Sequence, residues 1–177
     1  MGPTTVNGLP AHVLLVHFVV VLVPLAALLL ALAVCWPAAR ARLGLATPLV
    51  AFAALLAVPL TTQSGEWLAH HVDRNPLVRQ HTHLGDELLA WSAATFLLAS
   101  VWWALHSDRV TRRLRPRLPR IDTVAGNRAV AITLALAALA VSVGSVVQVY
   151  RIGDSGAQAA WHSTIVSQSH TTAASHH

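Results

Sequence analysis

The stretch AHVLLVHFVVVLVPLAALLLALAVCW, residues 11–36, decides the fold class of this chain. It contains no Asp, Glu, Lys or Arg, and it is longer than the ~20 residues with which a helix crosses a hydrocarbon core about 30 Å thick. It also exceeds the apolar core of a cleavable signal peptide, which is about 7–15 residues long. We therefore interpret it as a retained membrane helix that begins near Pro10 and tolerates a kink at Pro24.

Three further apolar blocks follow, and the four together occupy most of the 177 residues. The chain is 55% hydrophobic and 11% charged, whereas about 25% of the residues of an ordinary soluble domain are charged. We predict an all-α fold, a four-transmembrane-helix bundle that forms one membrane domain over residues 1–152. Its helices are predicted at about 10–36, 44–70, 76–106 and 127–152. Residues 153–177 are predicted to be a polar, histidine-containing tail that is partly disordered.

The arginines predict the orientation in the membrane. All twelve basic residues are arginines, and nine of them lie on the connections between helices 1 and 2 and between helices 3 and 4. The other three are Arg74, Arg79 and Arg151. Because cytoplasmic loops carry the excess of positive charge, we place both termini on the extracytoplasmic side. Pro116 and Pro119 are predicted to prevent a regular helix in the 3–4 connection. We interpret the arginines of this connection as an anchor to anionic lipid headgroups, and we predict no nucleic-acid partner.

This topology brings ligand-type side chains from several helices to the extracytoplasmic end of the bundle. They are His12, His17, Glu66, His70, His71, His81, His83, Asp86, Glu87, Arg151, Asp154 and His162. The only histidine predicted at the cytoplasmic end is His106. Imidazoles and carboxylates that converge at one depth favour a bound cofactor or metal ion. The single cysteine, Cys35, excludes an internal disulfide and a covalent c-type haem.

His17 is the most informative member of this group. It lies about two turns into a continuous apolar run, where an ionisable side chain is costly and usually faces the bundle interior with a partner. An interhelical hydrogen bond would explain it equally well. Glu66 and His70 are four residues apart and share a helix face, so that they can ligate a metal or orient a ligating imidazole. Alternatively, they end helix 2 in the headgroup region, and Asp86 and Glu87 complement the positive end of helix 3.

Several segments resemble one known family. The sequence GLPAHVLLVHF, residues 8–18, resembles the opening segment of the DUF2231 family of bacterial membrane proteins. SGE at 64–66, HTHLGD at 81–86 and YRIGDSGA at 150–157 also look like recurring segments of that family, so the resemblance covers nearly the whole chain. The resemblance implies a four-helix domain of the bacterial inner membrane, with family-type site residues that match four positions here. These are His12, His17, Glu66 and His81. Some family members are fused to c-type cytochrome or Rieske domains, which implies electron transfer.

The leading hypothesis is an integral membrane electron-transfer subunit that binds b-type haem near the extracytoplasmic surface. Bundle cores build cofactor sites from facing helices, and the ligands predicted here are His17 with His81 or His83. Two histidine ligands leave no open position on the iron, which favours electron transfer over oxygen chemistry. Glu66 and Arg151 would support the ligands without touching the iron, or would pair with a haem propionate or a quinone, and the partner would be a redox protein or quinone. Assembly of the chain into an oligomer is compatible with this hypothesis.

Two other functions stay open from the sequence. The first is a non-haem Zn, Cu or Fe site for metal handling or catalysis, because mixed imidazole and carboxylate ligands suit these ions. Its ligands would come from His12, His17, Glu66, His70 and His81. The second is a structural or assembly subunit, in which the polar cluster only holds helices 1 to 3 together. The sequence does not decide whether the protein is an enzyme.

Overall fold

The computed structural model describes the backbone of residues 5–6, 9–69, 76–117 and 121–174. Two short strands, β1 (Thr5–Val6) and β2 (Leu9–Pro10), pair in antiparallel register ahead of the first helix. The helices that follow are α1 (Ala11–Cys35), α2 (Pro37–Leu43), α3 (Ala46–Ala69), α4 (Pro76–His106), α5 (Asp108–Leu114), α6 (Ile121–Gly126) and α7 (Arg128–Ala174).

Four of these helices, α1, α3, α4 and α7, are long and apolar enough to cross a membrane. The predicted all-α class with four membrane spans is therefore confirmed. The helices α1, α3 and α4 begin and end within two residues of the predicted bounds, because their ends coincide with prolines, polar residues and the turn at Gly44.

The short connection between α1 and α3 follows from local backbone chemistry. Trp36 is extended, with φ −129° and ψ 106°, because the residue before a proline is disfavoured in the helical region. Pro37 then takes a position in the first turn of α2, where its missing N–H costs nothing. Gly44 ends α2 with φ +45°, a conformation that glycine adopts without strain. The chain is thereby turned back into the membrane.

The four spans pack as an up-and-down bundle. Each contacts the next along the chain, and α7 closes the ring against α1, so that α1 and α4 are diagonal and run in the same direction. Small residues such as Ala26, Ala54, Ala99 and Ala138 are buried where the helices approach one another. Across the diagonal, Trp102 Nε1 donates a hydrogen bond of 3.1 Å to the carbonyl oxygen of Ala33.

Two predictions about helix ends are wrong. The 3–4 connection, which was predicted to form no regular helix, contains α5 and α6, and α5 ends at Leu114, two residues before Pro116. The last helix was predicted to end at about residue 152, but α7 continues to Ala174. No proline follows Pro119. Within the predicted tail, Gln158 Nε2 donates to Asp154 Oδ2 at 3.0 Å, a helix-stabilising i,i+4 pair.

Candidate functional site

The up-and-down topology brings together the start of α1, the end of α3, the start of α4 and the part of α7 around residues 148–158. We call this part of the bundle the histidine end. Two contacts show that these segments lie at the same level of the bundle. Gly85 on α4 lies beside Thr62 on α3, and the Leu84 carbonyl on α4 accepts a hydrogen bond from Gln148 on α7. The described residues here carry three of the predicted ligands of the haem, His17, His81 and His83.

His81 is the histidine of this group that packs against another helix of the bundle. Its ring is half-buried, and Nδ1 lies 3.2 Å from the carbonyl oxygen of Ile152 and 3.1 Å from the hydroxyl oxygen of Ser155, both on α7. Because a carbonyl oxygen can only accept, the contact with Ile152 places the proton of the neutral ring on Nδ1 and the lone pair on Nε2. A ligating histidine is commonly oriented through such a backbone carbonyl.

The approach of His81 to α7 depends on Gly156. A Cβ atom at this position would lie 3.1 Å from Cε1 and 3.3 Å from Nδ1 of the imidazole ring, closer than ordinary van der Waals contact. The glycine therefore lets the ring lie directly against the helix backbone. This explains one glycine of the YRIGDSGA segment as a packing position.

A series of polar side-chain contacts extends from the surface of the histidine end into the interface between α4 and α7. His83 Nδ1 lies 3.4 Å from Glu87 Oε1, with 76% of the His83 side chain and 44% of the Glu87 side chain exposed. Glu87 Oε2 accepts a hydrogen bond of 3.1 Å from Nε2 of Gln148, which is buried and also donates to the Leu84 carbonyl at 2.9 Å. The carboxylate thus links an exposed imidazole to a buried amide.

The interior orientation expected for His17 is wrong. Its side chain is exposed, on the same outer surface of α1 as Phe18 and Val21. The core face of this helix carries Val19 and Val23 instead. The prediction failed because α1 is apolar on every side, so that hydropathy alone does not say which face meets the other helices.

His83 and Arg151 are also exposed. The expected pairing of an inward His17 with an inward His83 is therefore not found, and of the three predicted axial histidines only His81 points into the bundle. His81 and His83 differ because two residues along a helix correspond to about 200°, which places them on opposite sides of α4.

The structure describes the side chains of two of the five predicted ligands of the Zn, Cu or Fe site, His17 and His81. Among the residues whose side chains are described, no group of three His, Cys, Asp or Glu residues could hold a metal ion. The side chains of His12, Glu66 and His70 lie outside the described part. Ligation by these three residues, and by Glu66 above all, stays a prediction.

The polar end of α3 has a local explanation. Thr61, Thr62 and Ser64 donate their hydroxyl groups to backbone carbonyl oxygens three or four residues earlier, at 2.8 to 3.1 Å. Such bonds satisfy hydroxyl groups within one membrane helix. The hydroxyl donors of these three residues are therefore satisfied within α3.

Sequence reasoning missed the polar residues of α7. Ser145 is fully buried, and its hydroxyl lies 3.1 Å from that of Thr95 on α4. Ser142, Gln148 and Ser155 are buried as well. The spacing of three residues between Ser142, Ser145 and Gln148 within a predicted span was the available signal, because polar side chains on one face of a membrane helix indicate a helix–helix interface.

The comparisons with known proteins agree with this architecture. A family model described as a predicted membrane protein, DUF2231, matches residues 8–169, which include all four spans. The comparisons with curated proteins and with solved structures give no match.

Proposed function

The chain belongs to the DUF2231 family of predicted membrane proteins, and from its fold and its histidine end we propose that it is an integral membrane electron-transfer subunit that binds b-type haem. The observation that carries the proposal is the geometry of His81. Its Nδ1 is held by α7, which fixes the ring plane and leaves the lone pair of the neutral ring on Nε2.

The second ligand is proposed from the register of α1 and α4. These helices run in the same direction, and the bond from Trp102 to Ala33 fixes their relative height. His12 lies twenty-one residues before Ala33, and His81 lies twenty-one residues before Trp102. Since both helices rise about 1.5 Å per residue, the register predicts His12 and His81 at one depth.

Spacing also supports His12 in preference to His17. His12 precedes the buried Val19 by seven residues and the buried Ala26 by fourteen, and residues at multiples of about two turns share a helix face. His17 and His83 do not fit a haem inside the bundle, because both are exposed. The haem, when bound, would supply the one-electron chemistry, and the chain would supply the two imidazoles.

We further propose that the histidine end faces the extracytoplasmic side of a bacterial inner membrane. Eight of the twelve arginines lie, within the described part of the chain, at or near the opposite end, on α2, α5, the adjoining turns and the start of α7, which the positive-inside rule assigns to the cytoplasm. Arg151 is exposed near the histidine end and is the cation that would meet a haem propionate, a quinone or a redox partner there.

Four histidine-to-asparagine variants test the proposal. Asparagine removes the imidazole but keeps an N–H that can donate to the Ile152 carbonyl in place of His81 Nδ1. We expect the purified wild-type protein to show a sharp Soret band and reduced-minus-oxidised difference bands. His81→Asn and His12→Asn should lose them, while His83→Asn and His17→Asn, the matched controls on the same two helices, should retain them.

Helical circular dichroism and the thermal midpoint would be measured for each variant, so that loss of haem is separated from loss of the fold. Wild-type protein that shows no Soret band after titration with haemin would contradict the proposal. A band that is lost with His17→Asn and kept with His12→Asn would contradict the assignment of the second ligand.

A structural or assembly subunit is the second candidate. It is favoured by the hydrogen bonds that Gln148 donates to Leu84 and Glu87, and by the pair formed by Thr95 and Ser145, because these polar groups bind one another across α4 and α7. Under this function the purified protein would be colourless, and elemental analysis would find no stoichiometric Fe, Zn or Cu.

A further inference from the structure

The end of the bundle opposite to the histidine end contains a cavity. We call this opposite end, which includes α2 and the start of α3, the arginine end. The cavity has a volume of about 340 Å³ and is bounded by α1, α2, α3 and α4. Its floor consists of the buried small residues Ala33, Thr47 and Ala99. Ligand pockets begin at about 300 Å³, so the space is sufficient for a small ligand.

Thr47 contributes a hydroxyl group that has no hydrogen-bond partner among the residues that the structure describes. The residue is 3% exposed, it lines the cavity, and its Oγ1 atom is fully buried. Thr61 and Thr95, by contrast, donate to the carbonyl oxygen four residues earlier in their own helices. A buried polar group without a partner is costly, and a ligand in the cavity would remove this cost.

The electrostatic character of the cavity is positive. Arg40 lines it, and none of the described residues that line it is Asp or Glu. The guanidinium carbon of Arg40 lies 5.8 Å from the centroid of the Trp102 ring, which holds the cation beside the cavity. Thr47 is the second residue of α3, so the positive end of that helix faces the same space.

The cavity lies where the apolar spans end, which is the depth expected for lipid headgroups. The spans of α1 and α4 end at Cys35 and His106, and that of α3 begins at Ala46. Trp102 and Trp103, which line the cavity, are of the residue type enriched at membrane interfaces.

We propose that this cavity binds a phosphate-type oxyanion, with the Arg40 guanidinium and the Thr47 hydroxyl as its donors. Arginine and hydroxyl groups together provide charge-assisted hydrogen bonds to phosphoryl oxygens. The phosphoryl group belongs either to a phospholipid of the adjoining leaflet or to free phosphate. The site is independent of the haem proposed at the histidine end.

Binding would be measured on the full chain in detergent by native mass spectrometry with phosphatidylglycerol and with phosphatidylcholine of equal chain length. Inorganic phosphate would be added in a separate thermal-shift series. Arg40→Gln is expected to weaken binding of the anion about tenfold, which corresponds to the loss of one charge-assisted contact. Arg113→Gln, an exposed arginine of α5 at the same end, is the matched control and should change binding less than about twofold.

Thr47→Val separates a binding role from a structural one. Because it removes a buried hydroxyl without a partner, it should raise the thermal midpoint of the ligand-free protein and weaken anion binding several-fold. Ser142→Ala removes the other unpartnered buried hydroxyl among the described residues, on α7 away from the cavity. It should also raise the midpoint and leave binding unchanged.

The two sources of the anion give different results. Saturation by phosphatidylglycerol without a response to inorganic phosphate identifies a lipid headgroup, and an Arg40-dependent thermal shift with inorganic phosphate identifies a free anion. Equal losses of binding in Arg40→Gln and Arg113→Gln, or unchanged binding in Thr47→Val, would overturn the proposal.

Discussion

Gly144 sets how closely α4 and α7 pack at the level of Trp91. A Cβ atom at Gly144 would overlap the indole ring of Trp91, which packs against the core. Gly144→Ala therefore forces the ring or the helix to move, and we expect the free energy of unfolding to fall by about 1–3 kcal/mol. The thermal midpoint in detergent would report the loss.

Gly153 is the control for this substitution, because it lies on the same helix and a Cβ there would meet no atom within 4 Å. Gly153→Ala should raise stability by up to about 1 kcal/mol through helix propensity. If both variants lowered the midpoint equally, close packing at Gly144 would not be the cause.

The sequence carries little information about which single residues face the core. A glycine shows that a helix approach is allowed, but only the structure pairs Gly144 with Trp91 and Gly156 with His81. The orientation predicted for His17 was wrong for the same reason, because leucine and valine lie both on the buried and on the exposed faces of α1.

The helix pair α4 and α7 is joined by polar contacts as well as by packing. The hydroxyl groups of Thr95 and Ser145 lie 3.1 Å apart in the buried interface. In a double-mutant cycle with Thr95→Val and Ser145→Ala, we expect a coupling free energy of about 0.6 kcal/mol, the size found for such bonds in membrane proteins. Reversible unfolding in mixed micelles would measure it.

Ser92→Ala provides a second cycle with Ser145→Ala. Ser92 is buried on the same helix as Thr95, but its hydroxyl donates to the Leu89 carbonyl within α4. Its coupling to Ser145 should be near zero. Coupling of similar size in both cycles would indicate a general loosening of the interface.

The helices themselves could be predicted well from the sequence, since the length of an apolar run is set by the thickness of the bilayer. The end of α7 could not, because the polar residues after Ile152 mark where the span should leave the membrane and not where the helix ends. No proline follows Pro119, so no residue of this type interrupts the helix after Ile152.

At the scale of the whole molecule, the order of spans and their alternating directions follow from four hydrophobic blocks with short connections. The diagonal relation of α1 and α4, their relative height at the bond from Trp102 to Ala33, and the cavity beside Arg40 depend on how the helices pack. Hydropathy does not encode these features, because lipid and protein interiors select the same apolar residues.

The single cysteine allows the orientation of the whole molecule to be measured. Cys35 is exposed and ends α1 at the arginine end, which the positive-inside rule places in the cytoplasm. A membrane-impermeant maleimide should therefore leave Cys35 unlabelled in intact cells and label it in inverted membrane vesicles.

Ala174→Cys, made together with Cys35→Ser, is the matched probe, because α7 runs from the arginine end to the histidine end and ends beyond its membrane span. It should be labelled in intact cells and protected in inverted vesicles. The opposite pattern would place the histidine end in the cytoplasm, and the proposed haem would then exchange electrons with cytoplasmic partners.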